Sequence, residues 1–401
     1  MGKRFLMAAM AAIIMVAAGC AAPEQKKPEA VFLPPLPNLP RFQFLTSFNG
    51  AKDIEAKKSG FEVFVTGEAE NGKRLDKPYG VAMHDGKIYV CDTNAGVMVF
   101  DMAKKTFGPM TGAKGMGKLI QPINISIDEA GNKYVSDVVR KQVVIFDKDD
   151  KYVTALGTQA DDWRPVDAVS FEGLVYVADI KNGEIRVYDR NTGEVVNTFG
   201  QKGEQSQFLG MPSNLAFDHQ GNLYVVDSGR FQVVKFDRDG HFLMTIGSVG
   251  TNMGHFGRPR GIAIDRQNRI YVVDASFYNV QIFNDKGQLL FFFGEGGTAP
   301  GTLILPAGIS VDYDSLKYFD NYVDPSFQPE FLVLVTSQFG DRMVNVFAYG
   351  KEKGKKYPTD QELLEEANKL IEKQQKQETP KAEGGKQEQQ KQETPKTEGG
   401  K

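Results

Sequence analysis

The sequence contains few cysteine, tryptophan and histidine residues. Its 401 residues include two Cys, one Trp and four His. The two thiols, Cys20 and Cys91, exclude a framework of disulfides, and the absence of a CxxCH motif excludes covalent attachment of c-type haem. Cys91 lies in the apolar run IYVCD, so we expect it to be a small buried side chain without a reactive role.

The sequence also lacks a strong net charge and several catalytic motifs. Its 48 Lys and Arg residues nearly balance 51 Asp and Glu residues, which leaves a formal net charge of -3. This balance does not favour nucleic acid as a partner. Nucleophile motifs of the type Gly-x-Ser-x-Gly and glycine-rich phosphate loops are absent, so motifs assign no catalytic residue.

The N-terminus has the pattern of an export signal. A short basic segment precedes an apolar run that ends at Val16, too short to span a bilayer as a stable helix. The next residues, Ala17-Ala18-Gly19-Cys20, resemble a bacterial lipobox, which implies cleavage after residue 19 and attachment of acyl chains such as palmitate to Cys20. Two or three acyl chains make a stable anchor. In double-membrane bacteria, Ala21 after the lipidated residue implies sorting to the outer membrane.

Composition divides the rest of the chain into three regions. Residues 20–40 are rich in proline and predict an extended tether after the lipidated cysteine. Residues 41–350 contain a repeat. Residues 351–401 begin with a capping box at Thr359–Glu362, which predicts a short helix from Asp360 to about Gln375. The polar repeats that follow have too few apolar residues to fold and predict a disordered tail.

Six prolines open six similar segments in the repeat region, at intervals of 43 to 47 residues. They are Pro78, Pro122, Pro165, Pro212, Pro259 and Pro306. In the clearest unit, Arg258 to Gly294, four short apolar runs alternate with three turn signals of Asp, Asn and Gly. This pattern predicts four antiparallel strands joined by hairpins. Six such units predict an all-β fold, a six-bladed β-propeller with four-stranded antiparallel blades.

The last unit departs from the repeat in two ways. It has no fourth strand before the C-terminal region, and Arg41 to Phe48 has the matching pattern, so we expect this N-terminal strand to close the ring. The unit is also interrupted by an aromatic-rich segment, Tyr313 to Glu330, which we expect to cover one mouth of the ring or to bind a partner. A second insertion, Asn49 to Asp76, contains the apolar run FEVFV.

The repeated motifs resemble those of the NHL-repeat propellers. These motifs are a Pro-Gly-Ile-Ala opening, an Asp-x-x-Gly-Asn turn, a Tyr-Val-x-Asp strand and a Phe-Asp-x-x-Gly turn, and they extend from Arg41 to about Tyr349. Within that group, the proline-rich start, the closing strand and the interrupted last blade resemble bacterial lipid-anchored propellers. The resemblance implies a monomeric propeller. Its partners would be envelope proteins, with c-type cytochrome assemblies among the candidates.

Some relatives of these propellers are enzymes that use a metal ion. Each type of metal site implies particular residues, and the sequence shows whether they are present. Lactonase-like propellers hold a divalent cation through axial oxygens, and the position two residues after the opening proline carries Asn124, Asp167 and Asn214 in three consecutive blades. These side chains suit calcium, although one carboxylate is few for such a site. The same residues suit an Asx turn at a strand entrance. We therefore assign no metal site and expect no cofactor. A divalent-metal site formed by Asn124, Asp167 and Asn214 remains the alternative.

Zinc-lyase relatives use several histidines near the axis. Here the four histidines fall in predicted hairpin turns and in a loop between blades, so they do not converge on one metal. The expected partner or ligand face instead combines the channel mouth with the aromatic insertion. Its candidate residues are Tyr79, Asn124, Asp167, Asn214, Arg260, Tyr318, Phe319 and Tyr322.

Five carboxylates occupy equivalent positions at the end of the second strand of a blade. They are Asp92, Asp137, Asp179, Asp227 and Asp274. A catalytic group is needed once, whereas a residue that stabilises a turn is needed in every blade. We therefore expect each Asp to accept backbone N–H bonds from the following hairpin, which contribute about 1 kcal/mol to stability. The sixth blade has Thr336-Ser337 instead. The sequence thus predicts a lipid-anchored envelope propeller that acts as a protein-binding or scaffolding module, with a metal-assisted hydrolase or lyase as the alternative.

Overall fold

The computed structural model describes residues 29–56, 73–201 and 208–378, and it confirms the six-bladed β-propeller. Strands β1 (Val31–Leu33) and β2 (Phe42–Phe48) precede the first blade. Blade one contains β3 (Pro78–His84), β4 (Lys87–Asp92), β5 (Gly96–Asp101) and β6 (Thr106–Pro109). Blade two contains β7 (Pro122–Ile127), β8 (Lys133–Asp137), β9 (Gln142–Phe146) and β10 (Tyr152–Leu156).

The next three blades repeat this order. Blade three contains β11 (Pro165–Phe171), β12 (Leu174–Asp179), β13 (Glu184–Asp189) and β14 (Val195–Phe199). Blade four contains β15 (Pro212–Phe217), β16 (Leu223–Asp227), β17 (Gln232–Phe236) and β18 (Phe242–Ile246). Blade five contains β19 (Pro259–Ile264), β20 (Ile270–Asp274), β21 (Asn279–Phe283) and β22 (Leu289–Phe293).

Blade six is completed by the N-terminal segment, as the sequence predicts. It contains β23 (Pro306–Asp312), β24 (Phe327–Ser337) and β25 (Val344–Glu352), and β2 pairs antiparallel with β25 as its fourth strand. The buried ring of Phe42 packs 4.1 Å from the ring of Phe293 in blade five. Strand β1, from the predicted tether region, adds a fifth strand outside β2. The ring is therefore closed by pairing of the two ends of the repeat region.

The hairpin order gives the ring two distinct ends. We call one end the proline face. It carries the opening prolines, the segments that precede them, and the hairpins between the second and third strands of each blade. The opposite face carries the hairpins between first and second strands and between third and fourth strands. The first strands of neighbouring blades contact one another around the axis. Residues just after each proline therefore surround the channel mouth on the proline face.

A single α-helix among the described residues, α1 (Asp360–Glu378), packs against β22 on the outer edge of blade five. Leu363 and Ala367 are buried there, and the Asp360 carboxylate pairs with Arg269 at 2.8 Å. The predicted capping box is present, since Thr359 N donates to Glu362 Oε2 and Glu362 N donates to Thr359 Oγ1. The helix covers the edge strand of this blade. None of the helices in the described parts of the chain is long and apolar enough to cross a membrane.

The aromatic segment of blade six lies on the opposite face. It forms two short 3-10 turns at 316–318 and 320–322, and Phe319 is completely buried. Gly86 N, in the first hairpin of blade one, donates to Ser315 Oγ. Gln43 in the closing strand donates through its side chain to Tyr322 O. The segment therefore fastens blade six to blade one. The FEVFV run, residues 1–28 with Cys20, and the predicted disordered tail lie outside the described residues.

Candidate functional site

Each opening proline lies opposite the end of the second strand in the same blade. The pairs are Pro78 with Asp92, Pro122 with Asp137, Pro165 with Asp179, Pro212 with Asp227, Pro259 with Asp274, and Pro306 with Ser337. Proline has no N–H to donate. One backbone bond continues past the pair in each blade, from the residue after the Asp or Ser to the carbonyl of the residue before the proline, as from Ala275 N to Arg258 O at 3.0 Å. The carboxylate accepts N–H groups of the residues before the proline.

Asp274 shows how the carboxylate is used. Its oxygens accept backbone N–H bonds from Gly257 (2.7 Å) and Arg258 (3.1 Å), which precede the proline, and from Ser276 (2.8 Å) and Phe277 (3.1 Å) in the following hairpin. The side chain is completely buried. The sequence indicated the hairpin bonds only. We did not predict the bonds to the segment before the proline. The repeated occurrence of Pro and Asp at fixed positions of each blade is the signal that could have revealed them.

The other four carboxylates have the same surroundings. Asp92 and Asp137 each accept from two residues before the proline and two in the hairpin, and Asp227 accepts from Gly210 and Met211 before its proline. Asp179 accepts from Arg164 N and from two hairpin N–H groups. All are completely buried. Four of the carboxylates thus join the entrance of their blade to the hairpin that follows, as predicted, whereas the bonds of the Asp227 side chain run to the entrance segment.

Blade six replaces the carboxylate with two hydroxyls. Ser337 Oγ accepts from Ile304 N at 3.2 Å, which is the bond to the segment before the proline. Thr336 Oγ1 donates to Tyr79 O of blade one at 2.5 Å and accepts from Gly308 N at 2.8 Å. Both residues are buried. The substitution therefore adds a link across the junction where the ring closes.

The three candidate metal ligands lie together at the axis and bond to one another. With the Asn214 amide oriented to satisfy its neighbours, its oxygen accepts from Asn124 Nδ2 at 2.7 Å and its nitrogen faces Arg260 O at 3.2 Å. Asp167 accepts from Ala168 N and from Leu215 N of blade four, both at 2.8 Å. Asn124 also donates to the Asp167 carboxylate. We call these three residues the axial trio. It links blades two to five.

Burial changes the protonation of the axial trio. Desolvation raises the pKa of Asp167 to about 7, while hydrogen bonds from Leu215 N, Ala168 N and the Asn124 side chain oppose the rise. The carboxyl therefore titrates near neutral pH. This titration sets the charge at the centre of the ring.

The other three blades place glycine at the same position. A Cβ on Gly261 would lie 2.6 Å from Ala307 O of blade six, and a Cβ on Gly80 or Gly308 would also collide with the neighbouring inner strand. Each of these first strands has a shift of register directly after its proline. Glycine therefore allows close contact of the backbones in blades five, six and one, where no polar side chain lines the axis at this position.

The residues one position after the prolines form the mouth above the axial trio. They are Tyr79, Ile123, Val166, Ser213, Arg260 and Ala307. Arg260 is buried, its Nη1 donates to Gln338 Oε1 at 2.8 Å, and its guanidinium carbon lies 5.6 Å from the centre of the Tyr79 ring. Burial lowers the pKa of Arg260 and raises that of Tyr79. The mouth thus contains one buried cation.

The candidate face expected from the sequence is divided between the two ends of the ring. Tyr79, Arg260 and the axial trio lie at the channel mouth on the proline face. Tyr318, Phe319 and Tyr322 lie with the blade-six segment on the opposite face. There Phe319 packs in the core and Tyr318 contacts Gly86, so Tyr322 is the one of the three with a largely exposed side chain. The structure does not bring the two groups together.

One cluster of acidic and histidine groups close enough to share a metal occurs among the described residues. It consists of Asp237, Asp239 and His241 in the last hairpin of blade four. The cluster is mainly exposed, and Asp237 Oδ1 accepts Asp239 N and His241 N in a tight turn. Hydrogen bonding within the turn accounts for this geometry. Cys91 is completely buried, and burial raises the pKa of its thiol well above the usual range.

Comparison with known proteins supports the fold. The model of a family described as a 6-bladed beta-propeller, DUF5128, matches residues 204–279. A structural genomics protein of unknown function from Bacteroides thetaiotaomicron VPI-5482 is similar with a TM-score of 0.53 and 15% identity, over 76% of this chain and 75% of that protein. No curated protein matches this chain.

Two further structures are similar to this chain. An auxiliary nutrient binding protein from the same Bacteroides strain has a TM-score of 0.52 and 12% identity, with 69% of each chain covered. A virginiamycin B lyase from Staphylococcus aureus has a TM-score of 0.46 and 13% identity, over 70% of this chain and 97% of the lyase. The similarity to the two Bacteroides proteins, at 15% and 12% identity, shows the fold alone.

We expect Asp274→Ala to lower the free energy of unfolding by about 3 kcal/mol, because it leaves four partly buried backbone N–H groups without their acceptor. The matched control is Asp237→Ala, which removes a turn carboxylate that is largely in water and should cost about 1 kcal/mol or less. Chemical denaturation measures both. Equal losses in the two variants would contradict the role of the buried carboxylates.

We expect stability to fall as pH rises from about 4 to about 7, because the folded state holds the Asp167 proton more tightly than the unfolded chain does. The stabilising contribution of Asp167 is fully present below the pKa of this carboxyl in the unfolded chain. It is lost as the pH rises through the pKa of the same carboxyl in the folded protein. Asp167→Asn should flatten this dependence in urea titrations between pH 5 and 8. Asp189→Asn is the control, because backbone N–H bonds lower the pKa of this carboxyl out of that window. Identical slopes in wild type and Asp167→Asn would refute the assignment.

Proposed function

We propose that this chain is a lipid-anchored protein of the cell envelope whose propeller binds another envelope protein through the proline face. The N-terminal signal and lipobox support an acylated Cys20 and a membrane anchor, and Ala21 supports the outer membrane. Envelope proteins, including assemblies of c-type cytochromes, are the candidate partners. The propeller acts as a binding or scaffolding module, not as a catalyst.

The observation that carries this proposal is a set of exposed apolar side chains on the proline face. They are Met116 (74% exposed), Val249 (65%), Phe339 (54%), Ile120 (53%), Val139 (52%), Met211 (48%) and Tyr278 (39%). Four of them lie in segments between blades, and three lie in the hairpins after the second strands of blades two, five and six. Exposed apolar side chains that share one face of a folded protein favour a protein-binding surface there.

The alternative function is metal-assisted hydrolysis or lyase chemistry at the channel mouth. The closeness of Asn124, Asp167 and Asn214 is the observation in its favour. Their oxygens, however, already accept backbone N–H groups of Ile125, Ala168 and Leu215 or an amide of the trio itself. A calcium ion takes six to eight oxygen ligands, so it would have to break bonds that join the blades. This cost favours the binding module.

The membrane anchor is tested by Cys20→Ser in the native host. We expect the wild-type chain to partition into the detergent phase and the membrane fraction, and the variant to be released from membranes, since the acyl chains supply the membrane affinity. Cys91→Ser is the matched control and should stay in the membrane fraction. Membrane association that persists in Cys20→Ser would exclude a lipid anchor at this residue.

Binding through the proline face is tested with a photo-crosslinking amino acid in cells. We expect a probe at Phe339 to give a specific cross-linked protein, because this side chain lies in the exposed apolar set. Probes at Val195 on the outer edge of blade three and at Tyr322 on the opposite face are controls of similar exposure. Absence of an adduct specific to Phe339 would contradict the proposed binding face. A calcium-dependent rise in Tm that Asp167→Ala abolishes, without such an adduct, would support the metal site instead.

A further inference from the structure

Arg260 is a buried cation that the described residues do not neutralise. Its exposed fraction is 8%, and its polar contacts are one hydrogen bond to Gln338 Oε1 and the face of the Tyr79 ring. Both neighbours are uncharged. A buried guanidinium ordinarily pairs with a carboxylate, because removal of its charge from water costs several kcal/mol. Among the described residues, the Arg260 guanidinium therefore has no anionic hydrogen-bond partner.

The surroundings of Arg260 add further positive charge to the mouth. Burial and the nearby Arg258 both lower the pKa of Arg260, so a second cation is close to it. The carboxylate of the axial trio, Asp167, is held by Ala168 N and Leu215 N. An anion that pairs with Arg260 would thus come from outside the described part of the protein.

More cations surround the mouth on the proline face. They stand just before the opening prolines or in the hairpins after the second strands: Lys77, Arg140, Lys141, Arg164, Lys181, Arg230, Arg258 and Arg342. The acidic residues in the same segments are fewer: Asp76, Asp161, Asp162, Glu295 and Asp341. Apart from the five buried carboxylates at the ends of the second strands, cations outnumber acidic residues in these segments, although the whole chain has a net charge of -3. It would attract an anionic partner and orient its approach.

The opposite face is rich in carboxylates. The hairpin Asp147-Lys148-Asp149-Asp150 of blade two and the hairpin Asp237-Arg238-Asp239 of blade four are examples, and Asp128, Glu129 and Glu172 lie in the first hairpins. The charge is therefore separated along the axis of the ring. An acidic partner is repelled from one end and attracted to the other.

We infer that the proline face binds an acidic peptide segment of the partner protein, with one Asp, Glu or C-terminal carboxylate seated on Arg260 beside Tyr79 and Gln338. Apolar side chains of the same segment pack on Ile120, Val139 and the other exposed apolar residues. This inference rests on the proposed protein-binding function and specifies the chemistry of its partner.

A peptide fits these observations better than a polynucleotide or a lipid surface. The exposed apolar set consists mostly of aliphatic side chains, whereas single-stranded nucleic acid is usually held by stacking on exposed aromatic rings. Arg260 lies below the surrounding hairpins and is nearly buried, so a flat membrane surface could not reach it. A narrow, protruding carboxylate can.

The test selects short random peptides displayed on phage against the purified Cys20→Ser chain. Selected peptides should be enriched in Asp and Glu among apolar residues, and raised NaCl should weaken their binding. Arg260→Gln should weaken the Kd of a synthetic selected peptide by about tenfold or more, since a charge-assisted hydrogen bond is lost. Arg260→Lys keeps the charge and should lose less. Arg266→Gln, a cation on the opposite face, should bind as the wild type does.

Three results would overturn the inference. They are selected peptides without acidic enrichment, no selected peptide at all, or unchanged affinity in Arg260→Gln with its Tm preserved. Binding of a single-stranded oligonucleotide or of phosphatidylglycerol vesicles with the same dependence on Arg260, without peptide binding, would overturn it as well. A Phe339 cross-link in cells together with any of these results would leave the proposed function standing. Arg260-dependent peptide binding without the cross-link would support the site chemistry and contradict the envelope role.

Discussion

The pairing of an opening proline with a carboxylate is the interaction on which the propeller depends. Proline supplies no N–H at the entrance of the first strand, and the facing Asp accepts the backbone N–H groups of the residues that precede the proline. The same carboxylate holds the hairpin that follows, as Asp274 does with four N–H groups. One buried carboxylate in each of blades one to five therefore fixes where the inner strand starts. Blade six uses Ser337 and Thr336 for this purpose, and the threonine also reaches blade one.

Fixed strand entrances determine what can occupy the axis. In blades two to four the axial trio bridges neighbouring strands with side-chain hydrogen bonds, and in blades five, six and one glycines let the backbones touch. Both arrangements fill the space on the axis and occupy the polar groups that a catalytic centre would need. Among the described residues, the buried charge without a partner of opposite charge lies at the mouth, where the neighbours of Arg260 are uncharged. For this reason we propose that the site binds a partner.

The two ends of the ring serve different purposes. On the opposite face, the aromatic segment of blade six is anchored by Phe319, which packs with Phe48 and with core residues of blade one. It strengthens the junction that β2 closes. On the proline face Arg260 is nearly buried, and apolar side chains of the surrounding segments remain exposed. The segment that fastens blade six to blade one and the surface that we propose for partner binding thus lie at opposite ends of the ring.

The sequence by itself determined the blade number, the four-strand hairpin order and the closing strand. Each depends on local alternation and turn residues, and sixfold repetition makes such a pattern clear even where one blade deviates. The contacts of Arg260 with Tyr79 and Gln338, the use of the axial trio for links between blades, and the separation of Tyr322 from the channel were decided only by the tertiary structure. These contacts join residues of different blades, 78 positions apart for Arg260 and Gln338. Curvature and closure of the ring set their distances, and no local pattern records them.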